Sequence, residues 1–529
     1  MTQQASQYSV QQAQDAHQDL SQAGSLFRSG DAEGAIEACK ALIETYPDYA
    51  RAHVMAGVIY MQHSNYAAAL PHLVRARLIN PNDPTVLGNL GKVHLELGAT
   101  HCAVEALQKA IALTPNESMP HYFMGEVCLT QNDYAGAADH FETALAHDRD
   151  NTSAKIRLGH CQASIGRYDE ALSTLKAILA QSVTPHEKAH IFQILADFPI
   201  PLEGIDLISE LDALEQEAAD NPDPTQAVQY FTPTITLADL SMAFARAITF
   251  DKLGRHKEAW DAFAKANRRI ANETIPQRQV YFTQGEALFE RADQWQPRGN
   301  GKQRQPAQEE PVSLFILGPS RVGKTTLERL VGALDGVRLG SEHTIVRDTA
   351  QKTSQRAGLL SERFLANLPS DADELISEIY DNALAAFADG ARLVTVTHPG
   401  VISDVGRLSD LVPNARFVFL KRNHDDIAFR IFAYLYQANT NQFAYDIKDI
   451  YRYLELHDRM VDMWAAKIGD RALVLSYEDM VADPGATLAR VAKLCGMTAP
   501  AKPDVEISGD VGCATPYREW LHDARDQKA

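Results

Sequence analysis

Residues Leu314 to Val331 read LFILGPSRVGKTTLERLV: an apolar run, a loop with two glycines, a lysine and two threonines, then a helix-forming run. Gly318 to Thr325 has the form G-x-x-x-x-G-K-T, set between strand and helix as such a loop requires. The two glycines permit a tight turn and close backbone approach. Loop positions Gly318, Ser320, Arg321, Val322, Gly323, Lys324, Thr325 and Thr326 then turn N–H groups and a helix N-terminus toward an anion. Lys324 adds a point charge, the threonines add hydroxyl donors and Arg321 adds a planar fork of donors. The chemistry implied is phosphate binding.

Other residues of the same half could act beside that loop. Glu342 and His343 lie in RLGSEHTIV, His398 ends the run RLVTVTH, and Arg422 ends RFVFLKR. C-terminal strand ends are where α/β proteins build their sites. A nucleotide hydrolase would need Mg²⁺ held by the loop threonine and a strand-end aspartate. These strand ends offer His398 and the Lys421-Arg422 pair instead, while Glu478 and Asp479 of ALVLSYED follow Tyr477 far along the chain. A cationic strand end suits a second phosphate better than a metal, and no metal is expected.

The elements that must position these residues are legible. SLFILG, RLVTVTH, RFVFLKR and ALVLSY are short apolar runs typical of buried parallel strands. TTLERLVGAL, ADELISEIYDNALAAFA and DPGATLARVAKLC are helical stretches between or after them, so residues 313–529 are expected to form an α/β domain with a parallel sheet. The polar, Pro- and Gly-containing stretch 294–312 is the expected linker.

Upstream, residues 16–293 read as helical repeats. Ala35, Ala69, Ala103, Ala137 and Ala171 recur every 34 residues, as do Gly57, Gly91, Gly125 and Gly159, and Cys39, Leu73, Leu107, Phe141 and Leu175. Pro47, Pro81 and Pro115 close three units. The pattern resembles the tetratricopeptide repeat, a helical hairpin in which small residues admit a large one and proline ends the second helix. Repeats are regular over 16–183, and a further unit at 234–270 carries Ala247, Phe250, Gly254, Ala259, Phe263 and Ala266. Stacked hairpins make a concave face suited to a partner or substrate. Residues 1–15 read as a disordered N-terminus.

With 529 residues the chain exceeds one ordinary core. Its net charge of −19 argues against a general binder of nucleic acid or anionic membranes. No run approaches the roughly 20 apolar residues of a membrane span. The six cysteines form no C-x-x-C pair and read as buried thiols of a reducing compartment. A cytoplasmic location is expected, and the sequence sets no oligomeric state.

From Phe244, FARAITFDKLGRHKEAWDAFAKANRR, then LFILGPSRVGKTTLERL, PNARFVFLKRNHDD and LVLSYEDMVADPGATLARVAKLCGM closely resemble the tetratricopeptide-repeat sulfotransferases. The resemblance implies sulfuryl transfer from 3′-phosphoadenylyl sulfate (PAPS) without metal. Gly318, Arg321, Gly323, Thr325 and Glu328 match the family's loop pattern, and Lys324 replaces a threonine. The resemblance assigns the donor's 5′-phosphosulfate to the loop and its 3′-phosphate to Arg422. Asp426 also matches, and Arg430 stands where the family has serine. The YEDMVADP element resembles a family element and is read as scaffold, Tyr477 and Glu478 included. Glu342 lies in a context similar to that of the base in protein-tyrosine sulfotransferases. His343 and His398 are the other candidate bases. The family's strand-end lysine is missing beside His398: either Lys324 or His398 replaces its charge, or catalysis is altered or lost.

The fold expected is thus an α-solenoid of tetratricopeptide repeats followed by a P-loop-like three-layer α/β domain. The function expected is PAPS-dependent sulfation of a hydroxyl on a protein, peptide or glycan held by the repeats. A P-loop nucleotide hydrolase or kinase, and a nucleotide-binding adaptor without activity, are the alternatives.

Overall fold

The computed structural model describes residues 10–130, 133–199, 202, 204–220, 236–297, 310–359, 362–436, 440–501, 503, 505, 507 and 509–527. Residues 1–9 of the expected disordered terminus and 298–309 of the expected linker lie outside them. Residues 10–15 are described, and they belong to a helix, Val10–Arg28, rather than to a disordered end. The chain forms two compact units, Met1–Gln181 and Ser182–Ala529.

The first unit is a run of helical hairpins from Val10–Arg28 to Tyr168–Leu179. The period of 34 is a packing period. A Cβ added to Gly57, Gly91, Gly125 or Gly159 would lie 2.8, 2.4, 2.7 or 2.7 Å from Leu73, Leu107, Phe141 or Leu175 respectively. Each glycine therefore makes room for the large residue of its own hairpin, and an added methyl would push the helices apart. Ala35, Ala69, Ala103, Ala137 and Ala171 are fully buried at the same level of each unit. Asp31, Asn65 and Asp133, also 34 or 68 apart, cap the second helices by accepting from Gly34, Ala68 and Gly136 N–H.

The second unit starts with helices Pro185–Asp197 and Leu207–Asp220 and continues with the hairpin Leu237–Lys252 and His256–Glu273. Gly254, at φ +72°, turns that hairpin. Ile275–Gln294 follows. The sheet then comprises β1 (Val312–Leu317), β2 (Val337–Arg338), β3 (Leu393–Val396), β4 (Ala415–Lys421) and β5 (Ala472–Ser476). All neighbours are parallel, in the order β2-β3-β1-β4-β5. Alternation makes three layers: Leu314, Ile316, Val418 and Leu420 enter one core, and Phe315, Leu317, Phe417 and Phe419 the other.

The domain division differs from the expected one. Packing places it between Gln181 and Ser182, not at 294–312. The last helical hairpin belongs to the α/β core: Trp260 packs on Phe432 at 5.2 Å between ring centres, Phe263 on Phe429 at 6.3 Å, and Asn267 Nδ2 donates to Phe432 O at 2.8 Å. The two-residue strand β2 was not anticipated, because it is too short to form an apolar run.

Candidate active site

The loop after β1 adopts a conformation that its glycines allow. Arg321 has φ +65° and Gly323 has φ +105°. A Cβ at Gly323 would sit 2.4 Å from the Tyr477 ring, and one at Gly318 would sit 2.8 Å from Leu420 O. Lys324 opens the helix Lys324–Val331. Its side chain is buried and folds back, donating from Nζ to Gly318 O and Pro319 O, each at 3.2 Å. Burial pulls its pKa down to about 8, the Glu342 carboxylate opposes this, and Arg321 adds to it. Thr325 is exposed and Thr326 half-buried.

Tyrosines hold the loop from outside. Tyr453 Oη accepts from Ser320 N–H at 3.1 Å, and Tyr436 Oη lies 2.9 Å from Ser320 Oγ. The Arg321 guanidinium stacks on Tyr434 at 3.5 Å from its ring centre.

The loop helix also places Glu342. Glu328, one turn along, is buried; its Oε1 accepts from Thr395 Oγ1 at 2.5 Å and Ser341 N–H at 2.7 Å. Gly340 N–H donates to Thr395 Oγ1 and Thr397 N–H to Ser341 O. These bonds lay Gly340–Ser341 across the end of β3 and deliver Glu342 and His343 beside the loop. Gly340 is obligatory there, since a Cβ would fall 2.1 Å from Thr395 O.

The two histidines are fixed by backbone donors. Ile345 N–H donates to His343 Nδ1 and Gly400 N–H to His398 Nδ1, both at 3.1 Å. A nitrogen that accepts carries no proton, so each neutral ring bears its proton on Nε2. Burial, then Arg347 and Lys324, lower the His398 pKa to about 4. Burial also lowers that of His343, whose ring lies 4.2 Å from the Phe387 ring. Both line a cavity of about 160 Å³.

A second cationic centre lies at the end of β4. Arg422 is buried against the face of Tyr477, 4.2 Å from its ring centre. Its Nη1 donates to Arg321 O at 3.3 Å, which ties it to the loop. Nη2 lies 2.9 Å from Asp510 Oδ1 and 3.8 Å from Asp426 Oδ2. Arg430 Nε meets Asp510 Oδ2 at 2.5 Å, and Tyr477 Oη donates to Asp510 Oδ1 at 2.9 Å. One carboxylate therefore sits where two arginines and a tyrosine converge. Arg422 Nε is buried with no hydrogen-bond partner among the described residues. Asp426 holds the same C-terminal segment by accepting from Gly512 and Ala514 N–H, at 2.7 and 2.9 Å.

The structure thus brings Lys324 near Glu342 and His398, His398 into one cavity with His343, and Arg422 together with Arg430 through Asp510. Tyr477 is more than scaffold, because it backs Gly323, stacks on Arg422 and reaches Asp510. Glu478 is scaffold, accepting from Asn423 N–H at 2.9 Å. The sequence reading missed Asp510 and His457. His457, on the helix Ile447–Ile468, is buried with Nδ1 unpartnered among the described residues. Burial and then Lys324 lower its pKa to about 3. A histidine on the buried stripe of a long amphipathic helix reads as core, so only its proximity to Lys324 marks it.

The cysteines correct an expectation. None of the six is in a disulfide, but Cys102 is exposed and Cys128 and Cys513 are half-buried, so Cys39, Cys161 and Cys495 are the buried thiols. Among the described residues no helix is long and apolar enough to cross a membrane, and no group of three or more His, Cys, Asp or Glu could hold a metal ion.

Comparison with protein-family models agrees with this architecture. Residues 311–501 match the model of the sulfotransferase family. Residues 20–84, 54–118 and 129–190 match tetratricopeptide-repeat models. The chain is 23% identical over 163 residues to the Hsp70-Hsp90 organizing protein 2 of Arabidopsis thaliana, covering 31% of this chain and 28% of that protein. It is 28% identical over 157 residues to the BBSome complex member BBS4 of Bos taurus, covering 30% of each. The chain therefore spans less than a third of the length of these curated relatives. Among solved structures, MamA is 23% identical with a TM-score of 0.28, covering 30% of this chain and 92% of that one. A thermophilic tetratricopeptide-repeat protein of Thermus thermophilus is 18% identical with a TM-score of 0.31, covering 34% and 98%. The chain thus carries tetratricopeptide repeats ahead of a domain, residues 311–501, that matches the sulfotransferase family and holds the loop, Glu342, His398 and Arg422.

Proposed function

We propose that the chain transfers a sulfuryl group from PAPS to a hydroxyl acceptor, with the repeats holding the acceptor or a partner. The observation that carries this is the pair of anion centres, the loop and Arg422–Arg430, joined through the Arg422 bond to Arg321 O. ATP lacks a 3′-phosphate and leaves the second centre unused. The residues fit the donor: the Arg422 centre already grips a carboxylate, and Arg422 Nε is left over.

PAPS supplies the sulfuryl group and leaves as adenosine 3′,5′-bisphosphate. Loop N–H groups and Lys324 hold the phosphosulfate, Lys324 leaving its carbonyl partners to neutralise the bridging oxygen as its bond to sulfur breaks. Glu342 takes the acceptor's proton as the acceptor oxygen bonds to sulfur. His343 and His398 do not compete for that role, since each has its lone pair on Nδ1 committed to a backbone N–H. They serve as Nε2–H donors instead. Glu328 holds Glu342 in place through Ser341.

The test is donor discrimination. Adenosine 3′,5′-bisphosphate should bind the full chain more tightly than ADP, and Arg422→Ala should remove the difference. Equal affinity of the wild-type chain for both nucleotides would overturn the proposal. One observation favours an inactive adaptor: Asp510 fills the second centre. That reading requires donor binding without transfer across a broad panel of acceptors.

A further inference from the structure

The first unit holds a histidine pair that the repeat pattern does not require. His121, on the helix Ser118–Thr130, and His140, on its hairpin partner Tyr134–His147, bring their Nδ1 atoms to 3.3 Å. The same positions of the adjacent hairpins hold Leu87 with Ala106 and Lys155 with Thr174, so packing there is met without imidazole. Two hairpins earlier, His53 and His72 repeat the arrangement. Their ring centres lie 5.7 Å apart with the planes at 42°, against 5.6 Å and 39° for His121 and His140.

Backbone carbonyls set the protons. His121 Nε2 lies 3.2 Å from Pro115 O, and His53 Nε2 lies 3.1 Å from Pro47 O. A carbonyl only accepts, so both neutral rings carry their proton on Nε2 and a lone pair on Nδ1. A carbonyl behind the imidazole is the support that metal-bound histidines have. His53 Nδ1 is buried with no hydrogen-bond partner among the described residues. His121 Nδ1 accepts from His140 Nδ1–H, at a separation beyond the ~2.7–3.2 Å usual for N–H···O bonds. Two nitrogens each about 2.0–2.1 Å from a tetrahedral Zn²⁺ lie about 3.4 Å apart. The pair therefore has the span of two ligands on one cation.

Charge separates the two pairs. Burial and then His121 lower the His140 pKa, and the Asp139 and Asp133 carboxylates oppose this. Burial lowers the pKa values of His53 and His72 as well, but there Arg75 and Lys40 add to it. Asp48, the carboxylate acting on His53, is in an ion pair with Arg75 at 2.6 Å. A cation is thus favoured at the later pair and opposed at the earlier one. We propose that His121 and His140 chelate one Zn²⁺ ion through their Nδ1 atoms, with water completing the tetrahedron and the metal clipping the two helices of the hairpin together. Binding moves the His140 proton from Nδ1 to Nε2, on a ring that is half-buried, and releases none. The site lies in the first unit and does not rest on the sulfotransferase reading.

The test is Zn²⁺ titration of the untagged full chain by calorimetry, with melting followed in parallel. The wild type should show one site and a raised melting temperature. His140→Gln, at a half-buried position, should weaken that site at least roughly tenfold and abolish the rise. His72→Gln, the matched change in the earlier pair, should leave both intact. Mg²⁺, which prefers oxygen ligands, should give neither effect. Zn²⁺ binding unchanged in His140→Gln would overturn the proposal and leave the pair a hydrogen bond only. An equal loss in His72→Gln would overturn the assignment to His121 and His140.

Discussion

Lys324 shows how one residue type changes meaning with its surroundings. In the bare loop it marks a nucleotide hydrolase; in the folded protein it is a buried ammonium among Arg321, Glu342, His398 and His457. Burial favours its neutral form, and a bound anion favours the charged form. Below its free-state pKa of about 8 it is protonated and ready to bind. Above that value binding must also take up a proton, so affinity for adenosine 3′,5′-bisphosphate should fall as pH rises from about 7 to about 9.5. Calorimetry should show that dependence vanish in Lys324→Met, together with proton uptake. Asp510 behaves as an internal anion on Arg422 and Arg430. A 3′-phosphate must displace it, so Asp510→Asn should tighten the bisphosphate roughly tenfold by removing the competitor. A lower melting temperature without tighter binding would show that Asp510 only braces the C-terminal segment. Lys324 and Arg422 were readable because a strand end precedes them. Asp510 was not, since its partner lies 88 residues away and nothing local marks it.

At the scale of elements, position is transmitted from the loop helix to the short segment before the helix Ile345–Arg356. Glu328 grips Ser341 and Thr395, and Gly340 lies against the Thr395 carbonyl. Gly340→Ala must displace that backbone, because the obstructing atom is main chain. It should cost about 1–3 kcal/mol of stability, read by denaturant unfolding, and reduce transfer by more than that loss explains. Unchanged turnover would show that Glu342 does not depend on this contact. The repeats illustrate the opposite case. Their helix pairing was legible because glycine and its large partner are both specified within one hairpin, 16 residues apart, as in Gly125 and Phe141. The strand β2 was illegible because two residues carry no periodicity.

At the scale of the whole molecule, the unit that folds around the site is larger than the sulfotransferase-family match at 311–501. Trp260 and Phe263 pack on Phe432 and Phe429 of the helix His424–Phe432, which also carries Arg430. A fragment spanning 182–529 should therefore melt cooperatively and bind the bisphosphate as the full chain does. One spanning 311–529 should expose that aromatic face and aggregate. Size-exclusion chromatography and calorimetry of the two fragments check this, and a stable, binding-competent shorter fragment would contradict it.

The sequence by itself determined the class of each half, because hydrophobic period and glycine placement are local properties. It also determined the strand, turn and helix around Gly318–Thr325, which are contiguous. Tertiary structure alone decided which charges meet: Asp510 with Arg422, Glu328 with Ser341, His457 with Lys324. It decided the histidine tautomers too. Those depend on burial and on backbone donors brought together from separate segments, and both arise only when the chain has closed around them.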